Sequence, residues 1–227
     1  MSVRSRLVEP RPGRSIIVPV DKERAIQQIL IEDERLAQQI DFVIEMDRLK
    51  SVVRRSPLAD GSREENSAEH SWHLALMAMV LAGYAAEPVD VTRVMRMLLV
   101  HDIVEIDAGD AYAYDPAANI GKAEREQQAA GRLFGLLPGD QAAELRALWS
   151  EFEERMTAEA CFANALDRLM PLLHNYLNDG RVWRANHVTP EQVRHRMAPV
   201  ADGSPALGVL VEHIVADSLD RGLFETE

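Results

Sequence analysis

From Asp21 to Lys50, Ile26, Ile29, Leu30, Leu36, Ile40, Val43, Ile44 and Leu49 recur mostly at spacings of about three and four. That period predicts an amphipathic helix, or two shorter ones in succession. Residues 51–66 interrupt it with Arg54, Arg55, Pro57, Gly61 and Arg63, and read as a polar connector on the surface. Asn66 or Ser67 suits the cap of a following helix, with Glu69 in its first turn and an end near Tyr84. Its apolar run, Leu74 to Ala86, spans 13 residues. A bilayer needs about 20, so this is a buried helix rather than a membrane span. Asp90 or Thr92 starts another helix, which carries Val94, Met97, Leu98 and Val100 up to His101-Asp102. A loop passes Gly109 and Asp110 to about Ala118. Further helices are expected near 119–136, 139–155, 157–179, 189–200 and 204–221, and no segment alternates clearly as a strand. Pro10, Pro12 and Pro19 make residues 1–20 an irregular arm, which leaves 21–227 as a single all-α domain.

Composition narrows the function classes. The 227 residues can bury a substantial core, and aromatics are scarce at 5%. Twenty-five basic against 37 acidic residues give a net charge of -12. A chain that grips a nucleic-acid polymer usually carries a basic face, so this balance points away from one. It leaves room for a local basic pocket that takes a small anion. Cys161 is the single cysteine, so no intrachain disulfide forms, which suits a reducing cytoplasm. Its apolar neighbours predict a buried core thiol. Arg4, Arg6, Arg11 and Arg14 lie among Pro and Ser without an apolar stretch, which is no secretory signal. No membrane partner is expected.

His101-Asp102 ends a strongly apolar helix, and a buried His-Asp pair is costly unless each group has a partner. Alone the dipeptide is weak evidence. His70, however, lies 31 residues earlier in the first turn of another apolar helix. Asp167 sits beside Leu166, Met170 and Leu173, on a face that points inward. A carboxylate there needs a cation or hydrogen-bond donors. Pro171 removes the intrahelical donor to the carbonyl of Asp167, so an irregular turn is expected there. His73 and His174 are read as interior histidines, and Met77, Met79, Met95 and Met97 as core packing. The acidic run Glu151 to Glu154 is read as a solvated face.

The order His70 … His101-Asp102 … Asp167 resembles the HD superfamily of metal-dependent phosphohydrolases. Glu65-Asn66-Ser67-Ala68-Glu69-His70-Ser71 and His101-Asp102-Ile103-Val104-Glu105 … Gly109-Asp110 resemble its 5′-deoxynucleotidases, over roughly residues 36–180. The resemblance implies a compact multi-helix bundle around one divalent metal held by His70, His101, Asp102 and Asp167. Mn, Co, Fe, Mg and Zn all suit that mixed N/O set. It implies acid–base or water-positioning roles for Glu105 and Asp110. It places the phosphate-binding arginine at Arg55, 15 residues before His70, with Arg54 as the competing candidate. The family's tryptophan after that arginine is replaced by Ser56. The expected reaction is hydrolysis of the phosphate monoester of (deoxy)nucleoside 5′-monophosphates. Alternatives are a phosphodiesterase, another nucleotide phosphohydrolase, or a non-catalytic metal- or nucleotide-binding domain. The implied partners are a small-molecule nucleotide or phosphate ester and a second copy of the chain in a homodimer.

Overall fold

Asp33 opens the first described helix, its carboxylate accepting from the Leu36 N–H at 2.9 Å. The computed structural model describes residues 33–224, so the expected arm at 1–20 and the start of the 21–50 segment lie outside it. Helix α1 (Glu34–Glu45) runs into a 3₁₀ segment (Met46–Ser51). The connector that follows is not a loop. Strands β1 (Val53–Pro57) and β2 (Glu64–Asn66) pair antiparallel. The turn between them is closed by Leu58 N–H to Arg63 C=O and Gly61 N–H to Leu58 C=O, both at 2.8 Å. Gly61 has φ +69°, and a Cβ there would sit 2.4 Å from Asn178 Oδ1. Only glycine fits both conditions. So short a ribbon, rich in Arg and Glu, gives no readable apolar alternation, which is why the sequence conceals it.

Helix α2 (Ser67–Leu81) starts with a reciprocal cap. Asn66 Oδ1 accepts from Glu69 N–H at 3.0 Å, and Glu69 Oε2 accepts from Asn66 N–H at 3.3 Å. Helix α3 (Val91–Val100) is capped by Asp90. There follow α4 (Glu105–Ala108), α5 (Lys122–Phe134), α6 (Gly139–Glu154), α7 (Ala158–Leu177), α8 (Arg181–Ala185), α9 (Pro190–Met197), α10 (Val200–Gly203) and α11 (Pro205–Asp220). The architecture is all-α with one small ribbon. The three shortest helices lie below the length that periodicity reveals.

Helix α7 is the axis of the core and packs against α2, α3, α6, α10 and α11. Phe162, Ala163, Ala165, Leu166, Leu169 and Met170 are all buried on it. It runs unbroken through Pro171, so the expected irregular turn is absent. Its small residues let neighbours approach closely. A Cβ on Gly203 would lie 2.3 Å from the carbonyl oxygen of Cys161 and 2.9 Å from Ala165 Cβ. Trp149 and Trp183 are buried, whereas Trp72 is 64% exposed. Two readings of burial change. Met97 is core, but Met79 is exposed. Cys161 is half-buried rather than a core thiol, its Sγ donating to Arg155 C=O at 3.2 Å. It lies at the α7–α10 junction, whose surface limit the local apolar pattern does not reveal.

Candidate metal centre

The cap at Asn66 fixes the first turn of α2, and with it His70, the helix's fourth residue. His70 is fully buried. Its Nδ1 lies 3.1 Å from Glu65 Oε2, and its Nε2 lies 3.0 Å from Asp167 Oδ1. His101 caps the C-terminus of α3. Its Nδ1 is 2.8 Å from the Leu98 carbonyl, which can only accept, so Nδ1 carries a proton. His101 Nε2 therefore faces inward, 3.1 Å from Asp102 Oδ1 and 3.7 Å from Asp167 Oδ1. It has no hydrogen-bond partner among the described residues. Ligand atoms of His70, His101 and Asp102 lie within 4.8 Å of one another. The four residues expected to hold a metal thus come together from α2, the α3 end and α7.

Two observations test whether a divalent cation fits. The first is the buried, unbonded Nε2 of His101. The second is the electrostatics. Burial opposes charge on His101, but Asp102 and Asp167 outweigh it and raise its pKa to about 9. Burial raises Asp167, yet the nearby His101 and the hydrogen-bonded His70 hold its carboxyl well below the usual range. The cluster attracts positive charge, and two imidazoles with two carboxylates form a donor set for a divalent ion. The residues fit such an ion.

Glu105 and Asp110 stand beside this cluster. Ser67 Oγ donates to Glu105 Oε2 at 2.6 Å. Burial and then Asp102 push the Glu105 carboxyl well up. Burial also raises Asp110, against the pull of Arg54. Arg54 Nη1 donates to Asp102 Oδ2 at 2.6 Å and lies 3.7 Å from Glu105 Oε1 and 3.9 Å from Asp110 Oδ1. Its side chain is 12% exposed. Arg55 is on the opposite face of β1, with its guanidinium 5.4 Å from the Tyr112 ring and 3.3 Å from Asn186 Oδ1. Both arginines, Ser56 and Tyr112 line a cavity of about 140 Å³ that opens on Asp102, Glu105, Asp110 and Asp167. Asp107, between Glu105 and Asp110 in the chain, pairs with Arg132 on α5. Glu65 and Ser67 carried no ligand spacing. The signal that could have found them is their position on either side of the capping Asn66, against the buried first turn.

Comparison with known proteins identifies the family. The HD-domain family model matches residues 46–207. The 5′-deoxynucleotidase HDDC2 of Homo sapiens is 38% identical over 138 residues, covering 59% of this chain and 65% of that protein. The Bos taurus protein of the same name is 35% identical over 135 residues, covering 59% of this chain and 64% of its own length. The match thus spans a little under two thirds of each of these curated relatives. The crystal structure of a predicted metal-dependent phosphohydrolase from Magnetospirillum magnetotacticum MS-1 is 52% identical. It superposes with a TM-score of 0.82 and covers 86% of this chain and 97% of that one. The chain belongs to the HD-domain family.

Proposed function

We propose that this protein is a metal-dependent phosphohydrolase acting on the phosphate monoester of (deoxy)nucleoside 5′-monophosphates. The observation that carries this reading is one cavity lined by the inward histidine and carboxylate cluster, the acids Glu105 and Asp110, and the cations Arg54 and Arg55. The relatives named 5′-deoxynucleotidase support the substrate class. Beyond its phosphoryl group, a nucleotide extends along a wider groove that shares Tyr114, Arg168 and Arg196 with the cavity.

His70, His101, Asp102 and Asp167 would hold the divalent ion. When bound, such an ion stabilises charge on a phosphoryl oxygen and lowers the pKa of a water. Glu65 holds His70 by its Nδ1, and Leu98 C=O holds His101 by its Nδ1, so both Nε2 atoms are aimed inward before anything binds. Arg54 and Arg55 offer guanidinium donors to the phosphoryl oxygens, Arg54 from the floor of the cavity and Arg55 from its rim. Arg54 also offsets the charge of Asp102, Glu105 and Asp110, so an incoming anion meets less repulsion. Glu105, held by Ser67, and Asp110 carry carboxyls placed to position water or to protonate the leaving 5′-oxygen.

The test is phosphate release from a nucleotide panel by chelator-stripped protein resupplied with Mn, Co or Mg. Release from deoxynucleoside monophosphates, abolished in His101→Ala, is the expected result. Release only from triphosphates or phosphodiesters would move the substrate class. No release together with tight nucleotide binding would make this a sensor domain.

The partner reading extends to a homodimer. Trp72, Leu76, Met79 and Val80 form an exposed apolar strip on α2, which supports self-association. A monomer mass by light scattering at micromolar concentration would refute it. No helix among the described residues is long and apolar enough to cross a membrane. The single cysteine supports a cytoplasmic location.

A further inference from the structure

Beside the first centre, α2 and α7 bring a second set of ligand-type side chains together. His73 lies one turn beyond His70 on α2, and His174 lies two turns beyond Asp167 on α7. Their rings are 6.3 Å apart. Glu65, from β2, completes the group, and ligand atoms of the three all lie within 4.8 Å of one another. Glu65 and His174 are 2% and 4% exposed. His174 Nδ1 is buried and has no hydrogen-bond partner among the described residues. An imidazole nitrogen buried without a partner is costly, and an atom that binds it removes that cost. His73 is only half-buried, so the group has a route to solvent.

We propose that Glu65, His73 and His174 form a second, separate site for a divalent cation of the zinc class. Two imidazoles and one carboxylate are the protein ligands of an open tetrahedral zinc site, with the fourth position left to water. Bonds of about 2.1 Å place tetrahedral donors about 3.4 Å apart, so the three side chains close in slightly on the ion. Glu65 Oε2 is engaged by His70 Nδ1, and the carboxylate has a second oxygen to give. The two centres therefore share Glu65, one through a hydrogen bond and the other as a ligand. Carboxylate-poor and nitrogen-rich, the second site favours zinc over magnesium, whereas the first, with two carboxylates, is suited to either.

The experiment is equilibrium dialysis of the chelator-stripped full chain against zinc, read by elemental analysis. His73→Gln and His174→Gln are each expected to bind one equivalent fewer than the unaltered protein. In the Asp167→Asn background, zinc sensitive to His73→Gln persists. Cobalt substitution of that background gives the intense visible bands of a tetrahedral ion, and these vanish with His73→Gln. If His174→Gln fails to fold, the half-buried His73→Gln decides alone. Zinc content unchanged by His73→Gln overturns the proposal. So does an Asp167→Asn protein that binds no zinc, because the second set would then have no affinity of its own.

Discussion

Arg54→Met isolates the electrostatics of the cluster. The methionine keeps part of the apolar stem and removes the charge. The guanidinium it replaces is 12% exposed, bonds Asp102 at 2.6 Å, and lies within 3.9 Å of both Glu105 and Asp110. Removing one partner of a buried ion pair costs about 3–5 kcal/mol, because the remaining charge is left uncompensated. For a domain of this size, that corresponds to a Tm lower by roughly 6–20 °C. Without Arg54, the cluster is one unit more negative and gains more from a bound cation. At a cation concentration 100 times its Kd, the stabilisation from binding is about 2.7 kcal/mol. Each further tenfold gain in affinity adds about 1.4 kcal/mol. The assay is urea denaturation at pH 7 in EDTA and in excess Mn. The variant should lose about 3–5 kcal/mol in EDTA, and Mn should recover more stability in it than in the unaltered protein. Equal stabilities in EDTA would refute the view that Arg54 is the counter-charge of this cluster. Equal gains from Mn would refute the placement of the cation beside it.

Two further outcomes test the scaffold. Gly203→Ala drives a methyl onto the Cys161 carbonyl at 2.3 Å, an overpacking of the α7–α10 contact that should cost about 1–3 kcal/mol in urea denaturation. Unchanged stability would mean that this contact is looser than described. Glu151 accepts from Arg93 and from Thr157 Oγ1, and these bonds lower its pKa below the ordinary 4.5. A depressed carboxylate stabilises the fold above its unfolded value and loses that contribution as pH falls through the folded one. Glu151→Gln should therefore cost about 0.5–1 kcal/mol at pH 7 and much less in strong acid. A cost independent of pH would assign the loss to something other than the ion pair.

The legible part of this molecule is the part written in helical period. The caps at Asn66 and Asp90, the apolar faces of α2 and α3, and the inward face of Leu166, Asp167 and Met170 are local signals, so the elements follow from them. The meeting of His70, His101, Asp102 and Asp167 is not local. No spacing brings residue 70 within 3.0 Å of residue 167. The family pattern supplied the pairing of distant segments, and the packing of α2 and α3 on α7 is its physical form. Pro171 shows the reverse error. A proline removes a donor, yet α7 stays helical through it because burial on several sides outweighs one lost bond. Asn175 Nδ2 bonds the Pro171 carbonyl at 2.9 Å within the same stretch.

The arginine pair shows what residue spacing leaves open. Counting back from His70 selects Arg55, and a loop would allow either neighbour to turn inward. The connector is a ribbon, however, and successive side chains of a strand point to opposite faces. Once Leu58, Gly61 and Arg63 close the turn and Asn178 ties Leu58 to α7, the pleat leaves no choice. Arg54 is turned onto Asp102, while Arg55 is turned to Tyr112 and the rim. One-residue alternation therefore gives the two guanidiniums different surroundings. The inner one is bound to the carboxylates. The outer one is held by a ring face and one long hydrogen bond, so on the proposed reading it is the freer of the two to close on an arriving anion.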